Sequence, residues 1–262
     1  MHNGRTSLLL RSRAVPALPP EGSDRHVVAV DIALFTIQDE SLKVLLVKRI
    51  APPFPGWWSL PGGFVGQTES VDEAALRELQ EETGITTIYL ELLYTFGDLD
   101  RDPRGRVISV SYYALVDWER FQLKARASTK NASSRLRRDP ASGGTPAGTR
   151  WFSVHRLPAV AFDHRKIVVS AMERLRNKVN YTSAAFQLLP KKFTLSELQR
   201  AYEVILGQPL DKRNFRKKML QLGILKDTRE RQVEGRQRPA RLYAFTEARV
   251  IKLQEKGIIV PF

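Results

Sequence analysis

Apolar and polar positions along the chain follow two periods, and the switches between them mark its elements. The stretches "HVVAVDIALFTI" (26–37) and "LKVLLVKR" (42–49) are rich in β-branched residues and partly alternate, which predicts strands. "APPFPGWWSLPGG" (51–63) is punctuated by Pro and Gly and predicts a loop. From Ser70 to Thr83 there is no Gly or Pro and good helix formers dominate, while Gly84 stands where a left-handed C-terminal cap would go. A helix is expected there, with Ala75, Leu76 and Leu79 as its apolar stripe. "ITTIYLELLYTF" (85–96) and "RVISVSYYALV" (106–116) again read as strands, joined by the turn "GDLDRDPRG". The stretch 151–180 supplies an edge strand, a turn at Pro158 and a helix from about Asp163 to Lys178.

The pattern changes after Tyr181. "TLSELQRAYEVIL" opens with a capping box, Thr194 to Glu197, and repeats Leu195, Leu198, Tyr202 and Ile205 at helical spacing. After "GQPL", Asp211 is a good N-cap for "KRNFRKKMLQLG", in which Phe215, Met219 and Leu222 face inward together and Arg213 and Lys217 point outward. Helix, short Gly-containing turn and basic second helix describe a helix-turn-helix. "ILKDTRERQVEGRQRPARLYAF" then reads as two strands around a loop holding Arg229, Arg231, Arg236, Arg238 and Arg241, the shape of a basic wing. An amphipathic helix with a charged solvent face would explain the second helix alone but not the wing. The residues expected to meet nucleic acid are Lys212, Arg213, Asn214, Arg216, Lys217, Arg236, Arg238 and Arg241.

One face of the 70–83 helix is chemically unusual. At 100° per residue, Glu78, Glu81 and Glu82 fall within one arc of about 100° near the helix C-terminus. Like charges at i,i+4 cost roughly 0.2–0.5 kcal/mol, and the negative end of the helix dipole adds to that. Arg77 alone cannot neutralise three carboxylates, whereas a hard divalent cation, Mg²⁺ or Mn²⁺, can. A solvated acidic face is the plain alternative. The turn between the third and fourth expected strands invites a calcium reading through Asp98, Asp100 and Asp102, but Pro103 and Ser109 stand where an EF-hand loop needs Gly and Glu. Arg101, Arg104 and Arg106 in that turn are forks for a pyrophosphate or else an exposed basic hairpin. His155 and His164 read as surface or packing histidines.

Composition narrows the classes. The 262 residues contain no cysteine, which excludes disulfides, thiolate metal sites and a cysteine nucleophile. No apolar run approaches the roughly 18 residues that span a bilayer, so a soluble, cytoplasmic protein is expected. The net charge of +14 is uneven: residues 31–100 carry 4 Lys+Arg against 12 Asp+Glu, whereas residues 181–262 carry 17 against 8. A basic module beside an acidic one points to a polyanionic partner. Residues 124–150 hold Ser, Ala, Gly and Arg with Asp139 as their one acid, and read as a flexible basic insert. The expected organisation is a basic tail over 1–25, a first domain over 26–180 containing that insert, and a second over 181–262.

The first domain resembles the Nudix family. Gly63, five residues, Glu69, seven residues, Arg77-Glu78-Leu79, one residue, Glu81-Glu82, one residue and Gly84-Ile85 fit the Nudix box without a mismatch. The resemblance implies a mixed sheet between helices, an α/β/α sandwich, with Glu78 and Glu82 as main metal ligands and Glu81 as an auxiliary one. It also implies that Arg77 orients them through Glu69, and that Gly63 lets the backbone approach a phosphate. A Nudix domain followed by a winged helix resembles the Nudix-related regulators of NAD metabolism, the NrtR family, through "FPGWWSLPGGFV", "FGDLDRDPRGRVISVSYYALV", "AFDH" and the helix-turn-helix followed by "GRQRPARLY". That implies a homodimeric repressor of NAD biosynthesis genes that binds double-stranded operator DNA and ADP-ribose or a related nucleotide. The alternative is an ADP-ribose pyrophosphatase, with Glu81, Arg77 and Glu69 in its catalytic set, that splits ADP-ribose into AMP and ribose 5-phosphate by metal-assisted attack of water. Such hydrolases often take a general base from an acid just before a tryptophan like Trp151, where this chain has Thr149 and Arg150.

Overall fold

The computed structural model describes residues 26–85, 88, 90–118, 121, 148–179, 187–233 and 239–246. Its first part is built on a seven-stranded mixed sheet. β1 (Val27–Gln38) runs parallel to β6 (Val107–Leu115), from Val27 beside Val107 to Phe35 beside Leu115. The other pairings are antiparallel: β2 (Ser41–Lys48) and β4 (Gly62–Phe64) with β1, β3 (Trp58–Ser59) and β7 (Thr149–Ser153) with β2, and β5 (Glu91–Phe96) with β6.

Helices cover both faces, which is why β1 is apolar almost throughout instead of alternating. On one face Val30, Ile32 and Leu34 pack with Ala74, Ala75 and Leu79 of α1 (Val71–Thr83). On the other, Ala33 and Phe35 join Ile167, Val168, Ala171 and Leu175 of α2 (His164–Val179). This is the α/β/α sandwich expected. The apolar stripe of α1 differs by one position: Ala74 is buried and Leu76 is 43% exposed, because the helix leans on β1 through its smallest side chains.

The second part holds a three-stranded sheet, in the order β8 (Phe193–Thr194), β10 (Ala240–Phe245), β9 (Leu225–Gln232). Between β8 and β9 lie α3 (Leu195–Leu206) and α4 (Lys212–Gln221), so this part is the expected winged helix-turn-helix. The local signals hold. The Thr194 hydroxyl accepts from the Glu197 amide at 3.1 Å while the Glu197 carboxylate accepts from the Thr194 amide at 2.6 Å. Asp211 caps α4 by accepting from the Asn214 amide at 2.7 Å. Gly207 ends α3 at φ 73°, a left-handed conformation that a Cβ would disfavour.

The two parts share one apolar core. Leu198, Tyr202 and Ile205 of α3 and Phe215 and Met219 of α4 belong to the same buried cluster as α2 and Phe35. At the seam, Arg176 of α2 donates from Nε to the Ile205 carbonyl at 3.1 Å, satisfying an acceptor in the last turn of α3. An exposed ion pair, Arg200 with Glu40, bridges α3 to the β1–β2 turn.

Several boundaries shift. Within the stretch 85–96 expected to be a strand, β5 covers Glu91–Phe96, and residues 86, 87 and 89 lie outside the described residues. β7 starts at Thr149, so Thr149 and Arg150 pair with Val47 and Leu46 although they end the stretch expected to be a flexible insert. Arg229 and Arg231 lie within β9 and Arg241 within β10, not in the wing's loop. Arg236, Arg238, the 1–25 tail and residues 124–147 of the insert lie outside the described residues. Among the described residues, no helix is long and apolar enough to cross a membrane.

Candidate functional site

The site begins with the β4–α1 segment. Ser70 caps α1 in a second capping box, with Glu73 as its partner. The anchored helix carries Arg77 against Glu69 as a two-pronged pair, Nε to Oε2 at 2.8 Å and Nη2 to Oε1 at 2.6 Å. Arg77 also donates from Nη1 to Glu78 at 2.6 Å. These bonds to Glu69 and Glu78 raise the guanidinium's proton affinity above its ordinary value. Glu69 in turn accepts from the Gly66 amide at 2.7 Å, so the loop, the arginine and Glu78 form one braced unit.

The three glutamates part company. Glu78 is only 3% exposed and faces a cavity of about 260 Å³ together with Glu82. Glu82 accepts from the Gly62 amide at 3.1 Å. Glu81 is exposed and does not line that cavity, and Arg77 is 3.9 Å from it. A Cβ on Gly63 would collide with the Glu78 carboxylate, so at this position glycine makes room for the acid. Glu78 and Glu82 offer the oxygen donors a hard divalent cation takes, and they fit such an ion as a pair. Among the described residues, no three acidic or histidine side chains converge into a ready-made metal cage.

Under the cavity lies a buried polar network that joins residues far apart in sequence. Asp31 of β1 accepts from Arg101 at 3.2 Å and from the Ser109 hydroxyl at 2.6 Å, and its other oxygen is 3.2 Å from Nε2 of His164. Nδ1 of His164 accepts the Leu60 amide at 2.9 Å, which leaves the imidazole proton on Nε2, pointing at Asp31. Burial alone would raise the Asp31 carboxyl, but His164, Arg101 and Ser109 outweigh it and hold the group well below the usual carboxylate range. Arg101 closes the network by forking onto Asp163 at 2.8 and 3.1 Å. His164 is therefore a specific partner of Asp31 and Leu60, not the partnerless packing histidine expected.

The three arginines of the β5–β6 turn are placed differently from one another. Arg101 is buried between Asp31 and Asp163. Arg104 lines the cavity, paired with Asp102 at 2.7 Å and stacked over Phe64 at 5.0 Å. Arg106 donates to the Gly97 carbonyl and is not part of the cavity wall. Sequence patterning missed Asp31, Arg49 and Phe162 in that wall. The "AFDH" stretch that holds Phe162, Asp163 and His164 was the available signal.

A second surface lies on α4. Lys212, Arg213, Asn214 and Lys217 are exposed while Phe215 and Met219 are buried, so the helix presents a basic, polar face to solvent. Arg216 is half-buried and donates to the Ser196 hydroxyl at 3.0 Å, tying α4 back to α3. Arg241 is exposed on the wing, 3.4 Å from Asp227.

A mixed-sheet sandwich with acid residues of the Nudix box at its cavity, continued by a winged helix, defines a Nudix protein carrying a nucleic-acid-binding fold. The comparisons agree: residues 25–170 match the NUDIX domain and residues 185–245 match the NrtR DNA-binding winged helix domain. The chain is 35% identical over 223 residues to the ADPR responsive transcriptional repressor NtrR of Acinetobacter baylyi, covering 84% of this chain and 82% of that protein. Its fold matches the crystal structure of Shewanella oneidensis NrtR complexed with a 27mer DNA at a TM-score of 0.70 and 35% identity, covering 86% of this chain and 95% of that one. It is also 38% identical over 141 residues to the ADP-ribose pyrophosphatase of Methanocaldococcus jannaschii, covering 54% of this chain and 72% of that protein. The chain belongs to the NrtR family of Nudix proteins with a C-terminal winged helix.

Proposed function

We propose that this protein is a DNA-binding transcriptional repressor of NAD biosynthesis or salvage genes, and that its Nudix domain senses ADP-ribose or a related nucleotide. The observation that carries the reading is the pairing, in one chain with one core, of an acid-lined cavity and an exposed basic recognition helix. α4 would enter the major groove with Arg213, Asn214 and Lys217 toward base edges. Lys212 and the wing arginines Arg236, Arg238 and Arg241 would hold phosphates, while Arg216 steadies the helix against α3. Two such helices must meet half-sites at a fixed spacing, so the working unit is a homodimer. Its place of action is the cytoplasm, with the DNA it regulates.

Nucleotide binding in the cavity would use Glu78 and Glu82 to hold a divalent cation, Mg²⁺ or Mn²⁺, with Arg77 and Glu69 fixing Glu78. The cation would supply charge neutralisation at the phosphates. Because Glu78 and Glu82 face the cavity together, hydrolysis of ADP-ribose to AMP and ribose 5-phosphate stands as a second reading. One titration separates them. ADP-ribose is added to a preformed complex of the protein with labelled DNA from upstream of NAD-synthesis genes, with Mg²⁺ present and AMP followed in the same tube. Release that precedes any AMP supports the sensor. Release that tracks AMP formation, or unchanged operator affinity while ADP-ribose binds, sinks it.

A further inference from the structure

Three guanidinium groups reach the cavity, and their charges are answered differently. Arg101 is matched by Asp31 and Asp163, and Arg104 by a two-pronged pair with Asp102. Arg49, at the end of β2, forms no ion pair with any described residue. Its side chain donates only to neutral backbone carbonyls, Pro53 at 2.8 Å and Ala51 at 3.4 Å. The guanidinium lies 4.7 Å over the Phe162 ring, which it shares with Arg104 at 5.6 Å. Burial and the neighbouring Arg104 lower its proton affinity below the ordinary arginine value. Asp102, Glu82 and Asp31 pull the other way through space, but none is within ion-pair distance, so of the two cations that share the Phe162 ring Arg49 is the one whose charge is not already taken up in an ion pair.

The surroundings are built to hold Arg49 there. Its backbone accepts from the Gly56 amide and donates to the Trp57 carbonyl, each at 2.8 Å, so the Pro/Gly loop closes back on it. Phe54, at the loop's apex, packs edge-on against Phe162 with ring centroids 5.2 Å apart. Both phenylalanines have left-handed backbones, φ 64° and 55°, a conformation that is costly for a bulky residue and gathers at ligand clamps. Phe162 lies beneath Arg49 and Phe54 braces it from the side, which places the aromatic floor where Arg49 needs it.

We infer that Arg49, seated on Phe162 beside Arg104, takes the phosphate groups of the nucleotide bound in the cavity, a role the sequence pattern had assigned to the β5–β6 turn. The inference rests on the proposed nucleotide reading and names the residue that reads the anion. Arg101, whose charge is already matched by two carboxylates, is a support for the cavity floor. Arg104 contributes its field but keeps its fork on Asp102.

The test is calorimetric titration of ADP-ribose and of adenosine into the full chain, at low and high KCl with Mg²⁺ present. Circular dichroism confirms folding of each variant. Arg49→Gln should weaken ADP-ribose binding by about 10- to 100-fold, the loss of a charge-assisted contact, and should flatten its salt dependence. Arg49→Lys, which keeps the charge, should recover part of the affinity, and adenosine should bind all three proteins alike. ADP-ribose binding by Arg49→Gln within twofold of the parent would overturn the assignment. So would an equal loss for adenosine and ADP-ribose, which would make Arg49 a prop for the loop. If the parent itself fails to bind ADP-ribose, the nucleotide reading falls and this assignment with it.

Discussion

At the scale of single residues, the cavity depends on charges that are each answered by a specific partner. Asp31 has burial against it and His164, Arg101 and Ser109 in its favour. Its folded-state proton affinity is lower than that of a free carboxylate, so it contributes stability that is present above the unfolded value near pH 4 and is lost as pH falls through the folded one. Asp31→Asn should destabilise the protein at pH 7 by about 3 kcal/mol, because it leaves buried Arg101 with one carboxylate instead of two. Urea unfolding should show the gap to the parent narrowing as the buffer is taken below about pH 4, and a gap that widens there would contradict the sign. Glu78 and Glu82 give a second expectation. Mg²⁺ or Mn²⁺ should raise the melting temperature by mass action, and the Glu78→Gln/Glu82→Gln pair should abolish the rise. A double variant that responds to the cation like the parent would remove the box from the metal site.

At the scale of elements, helix ends decide how well the functional faces are presented. α4 is only ten residues long and strongly basic, so its first turn relies on the Asp211 cap. Asp211→Ala and Asp211→Ser both delete a negative charge near the DNA-binding face, but only serine can still cap. The alanine variant should therefore be less stable by roughly 1 kcal/mol and bind operator more weakly than the serine variant in a gel shift. Equal affinities would mean the α4 start is held by tertiary packing alone. On the exposed face, Arg213→Ala and Lys217→Ala should each weaken operator binding without changing the far-ultraviolet circular dichroism. Unchanged affinity in both would exclude this surface from the groove.

At the scale of the whole molecule, the shared core of α2, α3 and α4 makes the two parts one mechanical unit. All four tryptophans, 57, 58, 118 and 151, lie in the Nudix part, whereas helical circular dichroism reports on both parts. Thermal unfolding followed by the two signals should give coincident transitions. A fluorescence transition displaced from the circular dichroism transition would show that the seam at Arg176 and Ile205 does not couple the parts. The same unity bears on regulation. A nucleotide that releases DNA must bind the free conformation better, and DNA must weaken nucleotide binding by the same factor, roughly 5- to 150-fold for a coupling of about 1–3 kcal/mol. Titrations in both orders that give unequal factors would break the linkage.

What the sequence by itself determined is local. Hydrophobic period, the Thr194–Glu197 capping box, the Asp211 cap and the glycine at position 84 marked α1, α3 and α4 to within a residue or two, and helical geometry put Glu78, Glu81 and Glu82 on one arc before any tertiary contact was known. The Arg77–Glu69 pair was legible too, since a box of fixed spacing implied it. Tertiary structure decided which of those acids line the cavity: Glu78 is buried, Glu82 half-buried and Glu81 in solvent, because the packing of α1 on the sheet, not the arc itself, sets depth. It also assembled Asp31, Arg49, Arg101, Phe162 and His164, which come from separate elements, Asp31 and Arg101 being 70 residues apart. Periodicity records which face of an element is buried. It carries no information on which side chains meet across a sheet, because that follows from strand order and register: the parallel pairing of β1 with β6 sets Asp31 beside Ser111, one pleat from Ser109, and the seating of α2 brings His164 to the same point.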